Sequence, residues 1–414
     1  MHLNEVGSRV RVLLVQGVLV CAGVSLCGCE SADPPLTPLD GGYSDSGPRD
    51  AGDGGMLDAG QPDAGSSDAG DGDAGRDAGE VDAGTPLVCV RPADDYFPEV
   101  AARDLAAWPA CVSDDGTYHP YSAGTIAGVT RADQYRQIIA TLFDATRDPS
   151  QADFLAARML YVNTADPTAG IAIRIGRRAD LHYEGTVPAG TDCTGPGIAA
   201  TFPDFCVGPA RLEPLINAAF TIGSTAGALD TRIEAAKIEA GLLWFAYVSP
   251  LSEIRGCTTA KSNCDSAYAY YTGGAAPRGG IGLAAYVQVA DPLAHDRAWD
   301  AVLGMRCWRD LDSADPATNL ALRDRASAQL DRAMLDGVAA VVRARALLVS
   351  STAGSERDAH WAFVRTLSGF LDRAVRAADA AVADSLATEA AKTDASTVDI
   401  GAITAALDAV FDCP

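Results

Sequence analysis

The chain has 414 residues, with 32 lysines and arginines against 55 acidic residues, and a formal net charge of −23. Such acidity argues against nucleic acid or anionic lipid head groups as partners, so we expect no nucleic-acid binding. Hydrophobic residues make up 48% of the chain, which is enough to build a sizeable core and excludes a wholly disordered protein.

The first segment, residues 1–28, has the pattern of an export signal. Arg9 and Arg11 precede an apolar run at residues 12–26, and a small residue follows before Cys29. The run is shorter than a membrane-spanning helix requires. The sequence therefore predicts a lipoprotein signal peptide with lipid attached to Cys29. Glu30, rather than aspartate, follows this cysteine, so we expect the outer membrane as the destination, with the domain periplasmic or surface-exposed.

The next segment, residues 29–87, consists mostly of Asp, Ala, Gly, Ser and Pro. The triplet Asp-Ala-Gly occurs seven times in it. The segment contains fourteen acidic residues but only two basic ones, Arg49 and Arg76. Such a composition buries too little apolar surface to offset the ordering of the chain. We therefore predict a disordered linker that would span roughly 40 Å as a flexible coil, followed by a folded domain at residues 88–414.

Eight cysteines lie in the predicted domain, and an even number in an exported chain indicates up to four disulfides. Pairing between neighbours in the sequence gives Cys89–Cys111, Cys193–Cys206, Cys257–Cys264 and Cys307–Cys413. No cysteine spacing in the chain is typical of a zinc site.

The apolar pattern of the domain is mostly helical, with repeats at three and four residues. The predicted helices are Pro98–Ala107, Arg131–Thr146, Gln151–Asn163, Arg211–Phe220, Leu229–Val248, Leu293–Leu311, Ala317–Val349, a helix from Ser355 with an apolar stripe to Val382, and Ser396–Phe411.

Capping boxes are predicted at Thr130, Ser150 and Ser355, each followed by an aspartate three residues later. The alternation at Ile171–Ile175 suits a short strand, and glycine-rich loops are expected at 185–208 and 273–282. Strand signals are otherwise weak. The sequence thus predicts an all-α fold, a disulfide-stapled helical bundle built as one or two packed bundles.

Carboxylates at helical spacing are the first candidates for a binding site. Asp230 and Glu234 lie four residues apart, with Glu239 beyond them, and Asp296 and Asp300 are also four apart. Oxygen ligands at this spacing suit a hard metal ion. The alternative is that nearby arginines neutralise them. The arginines considered were Arg232, Arg297 and Arg306.

A second candidate is the aromatic run that follows Cys264. Asp265, Tyr268, Tyr270 and Tyr271 lie within seven residues, and not every phenol can face the core of a helical protein. Tyrosinate together with carboxylate forms a plausible ligand set for ferric iron. The alternative is aromatic packing against the loop between Cys257 and Cys264.

The run from Asp265 to Gly273 resembles the acidic-Ala-aromatic-Ala-aromatic-Tyr-x-Gly signature of the low-iron-inducible, iron-assimilating periplasmic proteins of algae. Residues 172–178, which carry Arg174, Arg177 and Arg178, are similar to the basic segment of that family, and residues 215–223 resemble its Asn-containing helix. The resemblance covers residues 130–310. It implies an exported, mostly helical domain associated with iron uptake, although this chain contains no Glu-x-x-Glu.

Two functions follow from these patterns. The first is an envelope lipoprotein whose helical domain binds iron or another hard metal ion through Asp230, Glu234, Glu239, Asp265, Tyr270, Tyr271, Asp296 and Asp300. The alternative is a non-catalytic structural or protein-interaction module on the cell surface, because we find no nucleophile or dinucleotide-binding motif in a suitable context. The sequence predicts no enzyme and does not identify a protein partner.

Overall fold

A computed structural model describes residues 91–411 except for 125, 145, 167–168, 184, 189 and 275–277. Over these residues the fold is all-α, with thirteen α-helices and no strand. The helices are α1 Ala127–Leu142, α2 Gln151–Val162, α3 Ile171–Ile175, α4 Ile198–Thr201, α5 Glu213–Gly223, α6 Thr231–Gly256, α7 Ser262–Thr272, α8 Leu283–Ala290, α9 Pro292–Leu311, α10 Leu320–Ser351, α11 Gly354–Ala378, α12 Ala380–Ala390 and α13 Ile400–Asp408. The predicted signal peptide, Cys29 and the predicted linker lie outside the described residues.

Helix α6 forms the core element, and it packs against α5, α7 and α11. Its sequence explains this position, because the apolar run from Leu242 to Phe245 occupies every side of the helix and is buried throughout. Gly241 allows α5 to approach closely, since a Cβ there would lie 2.9 Å from the Ile216 side chain. The predicted helix Leu229–Val248 ended too early, because α6 continues to Gly256, with Leu251 and Ile254 buried in its last turns.

Helices α9 to α12 follow one another closely and pack together. Two residues, Thr352 and Ala353, connect α10 to α11. Asp379 then separates α11 from α12, because its carboxylate accepts the backbone N–H groups of Ala381 and Val382 at 2.8 and 3.2 Å. The apolar stripe predicted to reach Val382 is therefore divided between two helices.

The predicted capping boxes had different outcomes. The box at Ser150 is confirmed, because its hydroxyl accepts the N–H of Asp153 and the Asp153 carboxylate accepts the N–H of Ser150. The box at Thr130 was wrong, since α1 begins earlier, where Gly128 packs tightly against Ala269 of α7. The box at Ser355 was also wrong, because α11 begins at Gly354 without a side-chain cap.

Two other predicted elements were wrong. Residues 98–107 contain only a three-residue 3-10 turn, because the chain wraps around the buried guanidinium of Arg103, which donates to the carbonyls of Phe97 and Trp108. Ile171–Ile175 is a short helix, α3, rather than a strand. Its alternation reflects burial of Ile171 and Ile175, which lie four residues apart on the same side of a helix.

Two of the predicted disulfides are confirmed. Cys193 is bonded to Cys206, and the bond closes the loop that contains α4. Cys257 is bonded to Cys264, and this bond joins the end of α6 to the first turn of α7. Both are short-range bonds, for which pairing between sequence neighbours was the right criterion.

The predicted pairs Cys89–Cys111 and Cys307–Cys413 were wrong, because Cys111 is bonded to Cys307 across 196 residues, with a Cα–Cα distance of 5.4 Å. Cys89 and Cys413 lie outside the described residues. The reason for the long-range bond is tertiary: residues 91–122, which we call the N-terminal segment, lie along α9. Sequence proximity could not predict this pairing.

A buried ionic cluster holds the start of the N-terminal segment against α9 and α10. Asp95 is fully buried and pairs with Arg297 of α9 at 3.0 Å and with Arg332 of α10 at 3.1 Å. Gln329 of α10 accepts the N–H of Tyr96 at 2.6 Å and donates to its carbonyl at 2.9 Å. Removing either arginine would leave the buried charge of Asp95 poorly compensated, which is strongly destabilising. The ion pairs therefore favour this one position of the N-terminal segment.

Further contacts continue along α9 toward the end of the N-terminal segment. The N–H of Val112 donates to Asp310 at 2.9 Å, beside the Cys111–Cys307 bond. Arg306 donates to the carbonyl of His119 at 2.6 Å. The segment is therefore fixed to α9 by a covalent bond, ion pairs and backbone hydrogen bonds.

The three disulfides between described residues place this domain in an oxidising, extracytoplasmic compartment. All described residues other than 188–190 belong to a single unit. Within the part of the chain that the structure describes, no helix combines the length and apolarity needed to cross a bilayer.

Candidate functional site

The tyrosine-rich run forms helix α7, and Asp265 in its first turn has a structural role. Its carboxylate is fully buried and accepts the hydroxyl of Tyr118 at 3.1 Å and the N–H groups of Tyr121 and Ser122 at 3.0 and 2.7 Å. Asp265 therefore fixes the end of the N-terminal segment to α7. A metal at this carboxylate would have to displace these donors.

The three tyrosines of α7 point toward three different neighbours. Tyr268 stacks on Tyr118 with ring centroids 4.0 Å apart. The Tyr270 hydroxyl accepts a hydrogen bond from Arg131 of α1 at 3.1 Å. The Tyr271 hydroxyl lies 3.2 Å from Nδ1 of His295 on α9. Because they diverge, the three phenols do not form a common ligand set.

Burial also opposes ionisation of the innermost phenol. Tyr271 is fully buried, and this burial raises the pKa of its hydroxyl well above the ordinary value, with the charges of Asp296 and Asp291 adding to the effect. Tyrosinate, the form that would ligate ferric iron, is therefore disfavoured at this position.

Two of the three carboxylates around α6 are paired with basic side chains. Glu234 pairs with Lys237 at 2.7 Å. Glu239 is almost fully buried and accepts from Arg345 of α10 at 2.6 Å and from the Tyr286 hydroxyl at 2.6 Å. Asp230 is exposed and precedes α6 with a left-handed φ of 57°, so it does not share a helical face with Glu234.

The pair on α9 is bridged by one arginine. Arg278 contacts Asp296 at 3.1 Å and Asp300 at 2.8 Å, and Arg91 contacts Asp300 at 2.5 Å. Burial raises the pKa of Asp300, and the two arginines oppose this effect. Asp296 and Asp300 thus lie together on α9, as predicted, but an arginine fills the place of a cation between them.

The alternative, that arginines neutralise these carboxylates, holds for Glu239, Asp296 and Asp300, although the arginines involved are not Arg232, Arg297 or Arg306. Arg232 pairs with Asp148, Arg297 with Asp95, and Arg306 lies near Asp310. Among the described residues, no group of three or more His, Cys, Asp and Glu side chains is arranged to hold a metal ion.

Sequence reasoning missed a polar network centred on His182. Its Nδ1 lies 3.2 Å from Asp180 and its Nε2 lies 2.9 Å from Asp331, whose carboxylate also accepts the Tyr247 hydroxyl. Arg373 of α11 donates to the same hydroxyl at 2.9 Å. Burial alone would lower the pKa of His182, but the two aspartates outweigh it and raise the pKa to about 9.

This network joins a loop to α6, α10 and α11, and its members are satisfied by one another. No local sequence pattern reveals this network, because Asp331, Tyr247 and Arg373 lie far from His182 along the chain. The network therefore behaves as a structural cross-link, with a protonated imidazole at neutral pH.

The fold and the disulfides define the class of this protein as an extracytoplasmic, disulfide-bonded all-α domain. Comparisons with protein-family models, with curated proteins and with solved structures find no match.

Proposed function

We propose that the protein is an exported lipoprotein, anchored through Cys29 to the outer membrane, whose helical domain is a non-catalytic structural or protein-interaction module. The basic start, the short apolar run and the cysteine that follows it support lipid attachment. The disulfides of the domain support export. The acidic linker at 29–87 supplies the spacer between anchor and domain.

The observation that carries this proposal is the way the N-terminal segment is fastened to the rest of the domain. A force on a tether at Cys29 would be transmitted through the linker to the N-terminal end of the domain. There, Asp95 is held by two arginines and Cys111 is covalently bonded to Cys307. Such an attachment suits a domain that stays with its cell while contacting a partner outside it.

Binding of iron or another hard cation, which the resemblance to the iron-assimilating proteins implies, is the second candidate. The contact between Tyr271 and His295 on neighbouring helices favours it. The geometry favours the interaction module more, because Asp265, Glu239 and Asp300 already serve as acceptors for protein donors.

Anchoring is tested by fractionating cells that express the full chain or its Cys29→Ser variant. The unchanged chain should sediment with the outer membrane and incorporate a labelled fatty acid. C29S should lose both properties, whereas Cys21→Ser, a substitution within the apolar run, should retain them. Equal membrane association of C29S and the unchanged chain would contradict the proposed anchor.

The two candidate functions are separated by titrating the purified full chain with ferric iron. The interaction module predicts no tyrosinate-to-iron absorption band and a partner that is cross-linked on intact cells whether or not a chelator is present. A saturable band that disappears in Tyr271→Phe would instead establish iron binding and contradict the interaction module.

A further inference from the structure

Three arginines from two segments of the chain lie around one phenol. Arg131 lies on α1, Arg174 on α3 and Arg178 just after α3, while Tyr270 lies on α7. Arg131, Arg178 and Tyr270 are each more than nine-tenths buried. We call these four residues the arginine cluster.

The contacts within the arginine cluster centre on Tyr270. Arg131 donates to the Tyr270 hydroxyl at 3.1 Å, and the Arg178 guanidinium carbon lies 5.1 Å from the centre of the Tyr270 ring. Arg178 also donates to Ser252 at 3.1 Å and to the Glu253 carboxylate at 2.6 Å. Arg174 lies within electrostatic range of all these charged groups.

Positive charge is in excess at this place. Among the described residues, the contacts supply one carboxylate, Glu253, to three guanidinium groups. Burial, and after it the charges of Arg131 and Arg178, lowers the pKa of Arg174. Like charges held together in a partly buried setting destabilise the fold unless an opposite charge joins them.

The arginine cluster also has unused donors. The Nε groups of Arg131, Arg174 and Arg178 are all buried and have no hydrogen-bond partner among the described residues. A buried donor without an acceptor is costly, and such groups are rare in folded proteins. Three of them on three neighbouring arginines indicate that an acceptor bearing negative charge belongs in this cluster.

A small cavity lies beside Arg131, one of the three arginines with an unused donor. It has a volume of about 20 Å³, and Arg131 and Tyr270 line it together with apolar side chains that include Ile171, Leu242 and Phe245. This volume holds about one water-sized group, such as a single oxygen atom of a ligand. It is too small to enclose a phosphate group.

We propose that the arginine cluster binds a small carboxylate-type anion, of the class of formate, acetate or bicarbonate, with one oxygen in the cavity beside Arg131 and Tyr270. The two oxygens of a carboxylate lie in one plane and match the planar pair of N–H donors on a guanidinium group. A carboxylate-type anion therefore suits arginine better than a spherical ion does. The site is distinct from the N-terminal segment and independent of lipid anchoring, so it goes beyond the function proposed above.

The test uses the purified full chain in a nonionic detergent, with sodium HEPES as the only background salt. Thermal unfolding and isothermal titration calorimetry are followed with sodium formate, acetate, bicarbonate, chloride and phosphate at equal ionic strength. We expect saturable stabilisation by formate, acetate or bicarbonate, and no saturable effect of chloride or phosphate.

Arg174→Gln is the decisive variant, because this partly exposed side chain can be replaced without leaving a carboxylate unpaired. Losing one charge-assisted donor should weaken anion affinity by about tenfold or more. Without the anion, R174Q should be at least as stable as the unchanged chain, because repulsion with Arg131 and Arg178 is relieved. Arg177→Gln, an exposed neighbour, should bind as the unchanged chain does.

Several outcomes would overturn the proposal. Equal stabilisation of the unchanged chain and R174Q by every salt would indicate a general ionic effect. Saturable binding of chloride or phosphate in preference to formate would refute the assigned class of anion. Loss of binding in R177Q together with full binding in R174Q would place the anion elsewhere.

Discussion

Removing the Cys111–Cys307 bond should destabilise the protein more than removing either of the other described disulfides. The double variant Cys111→Ala/Cys307→Ala opens a loop of 196 residues, whereas removal of the Cys193–Cys206 bond opens one of 13. The loop-entropy relation predicts that the free energy of unfolding falls by about 5 kcal/mol in the first variant and by about 3 kcal/mol in the second at 25 °C. The first loss is larger because a longer loop regains more conformational freedom when the chain unfolds.

The native state should survive the loss of the long-range bond. The ion pairs of Asp95 with Arg297 and Arg332, and the hydrogen bond from Val112 to Asp310, would still hold the N-terminal segment on α9. The difference between the two variants should therefore come mainly from the unfolded state, where the entropy of the open chain is regained.

Equilibrium denaturation in guanidinium chloride, followed by far-UV circular dichroism, measures these losses on the full chain. Both double variants carry two Cys→Ala substitutions, so each controls for the other. We expect C111A/C307A to lose about 2 kcal/mol more than C193A/C206A. A loss for C111A/C307A equal to or smaller than that of C193A/C206A would refute the long-range attachment of the N-terminal segment.

Two further predictions concern single polar residues. Protonated His182 stabilises the folded state through Asp180 and Asp331, so its contribution is complete below pH 6.5 and is lost as the pH rises through about 9. After allowance for its 25% exposure, this contribution amounts to about 1–2 kcal/mol. Urea denaturation at about pH 6 and about pH 10 should show that decline, and a decline of equal size in His182→Gln would count against it. Asp265→Asn should cost about 3 kcal/mol in the same assay, because an amide cannot satisfy three converging donors, whereas Ser262→Ala on the exposed side of α7 should be neutral. A loss below about 1 kcal/mol in D265N would contradict the structural role of this carboxylate.

The sequence predicted the helices with a long apolar pattern, and it predicted the start of one helix from its capping box. Helix α2 begins at the predicted box of Ser150 and Asp153, and α9 and α10 agree with their apolar periodicity within a few residues. These features depend on residues within one or two turns of each other. The all-α fold followed from them, because strand patterns were weak throughout.

Short elements and long-range pairs could not be predicted in this way. Five alternating residues at Ile171–Ile175 suit a strand or a buried turn of helix equally well, and only packing decides between them. The Cys111–Cys307 bond depends on the N-terminal segment lying along α9, which no local pattern reveals.

In the candidate site, too, local features were predicted from the sequence and long-range contacts were not. Sequence spacing placed Asp296 and Asp300 together on α9, and one of the two alternatives from the sequence was that nearby arginines neutralise them. The arginine that does so, Arg278, lies on a loop outside that helix. The arginine cluster was missed for the same reason, since Arg131 and Tyr270 lie 139 residues apart.

Mass spectrometry of the N-terminal peptide, taken from the chain purified out of its own cell membranes, tests lipid anchoring most directly. We predict that the peptide begins at Cys29 and carries a thioether-linked diacylglycerol, with the preceding signal removed. A mature chain that begins elsewhere, or that retains an unmodified Cys29, would contradict the proposal of a lipid-anchored envelope protein.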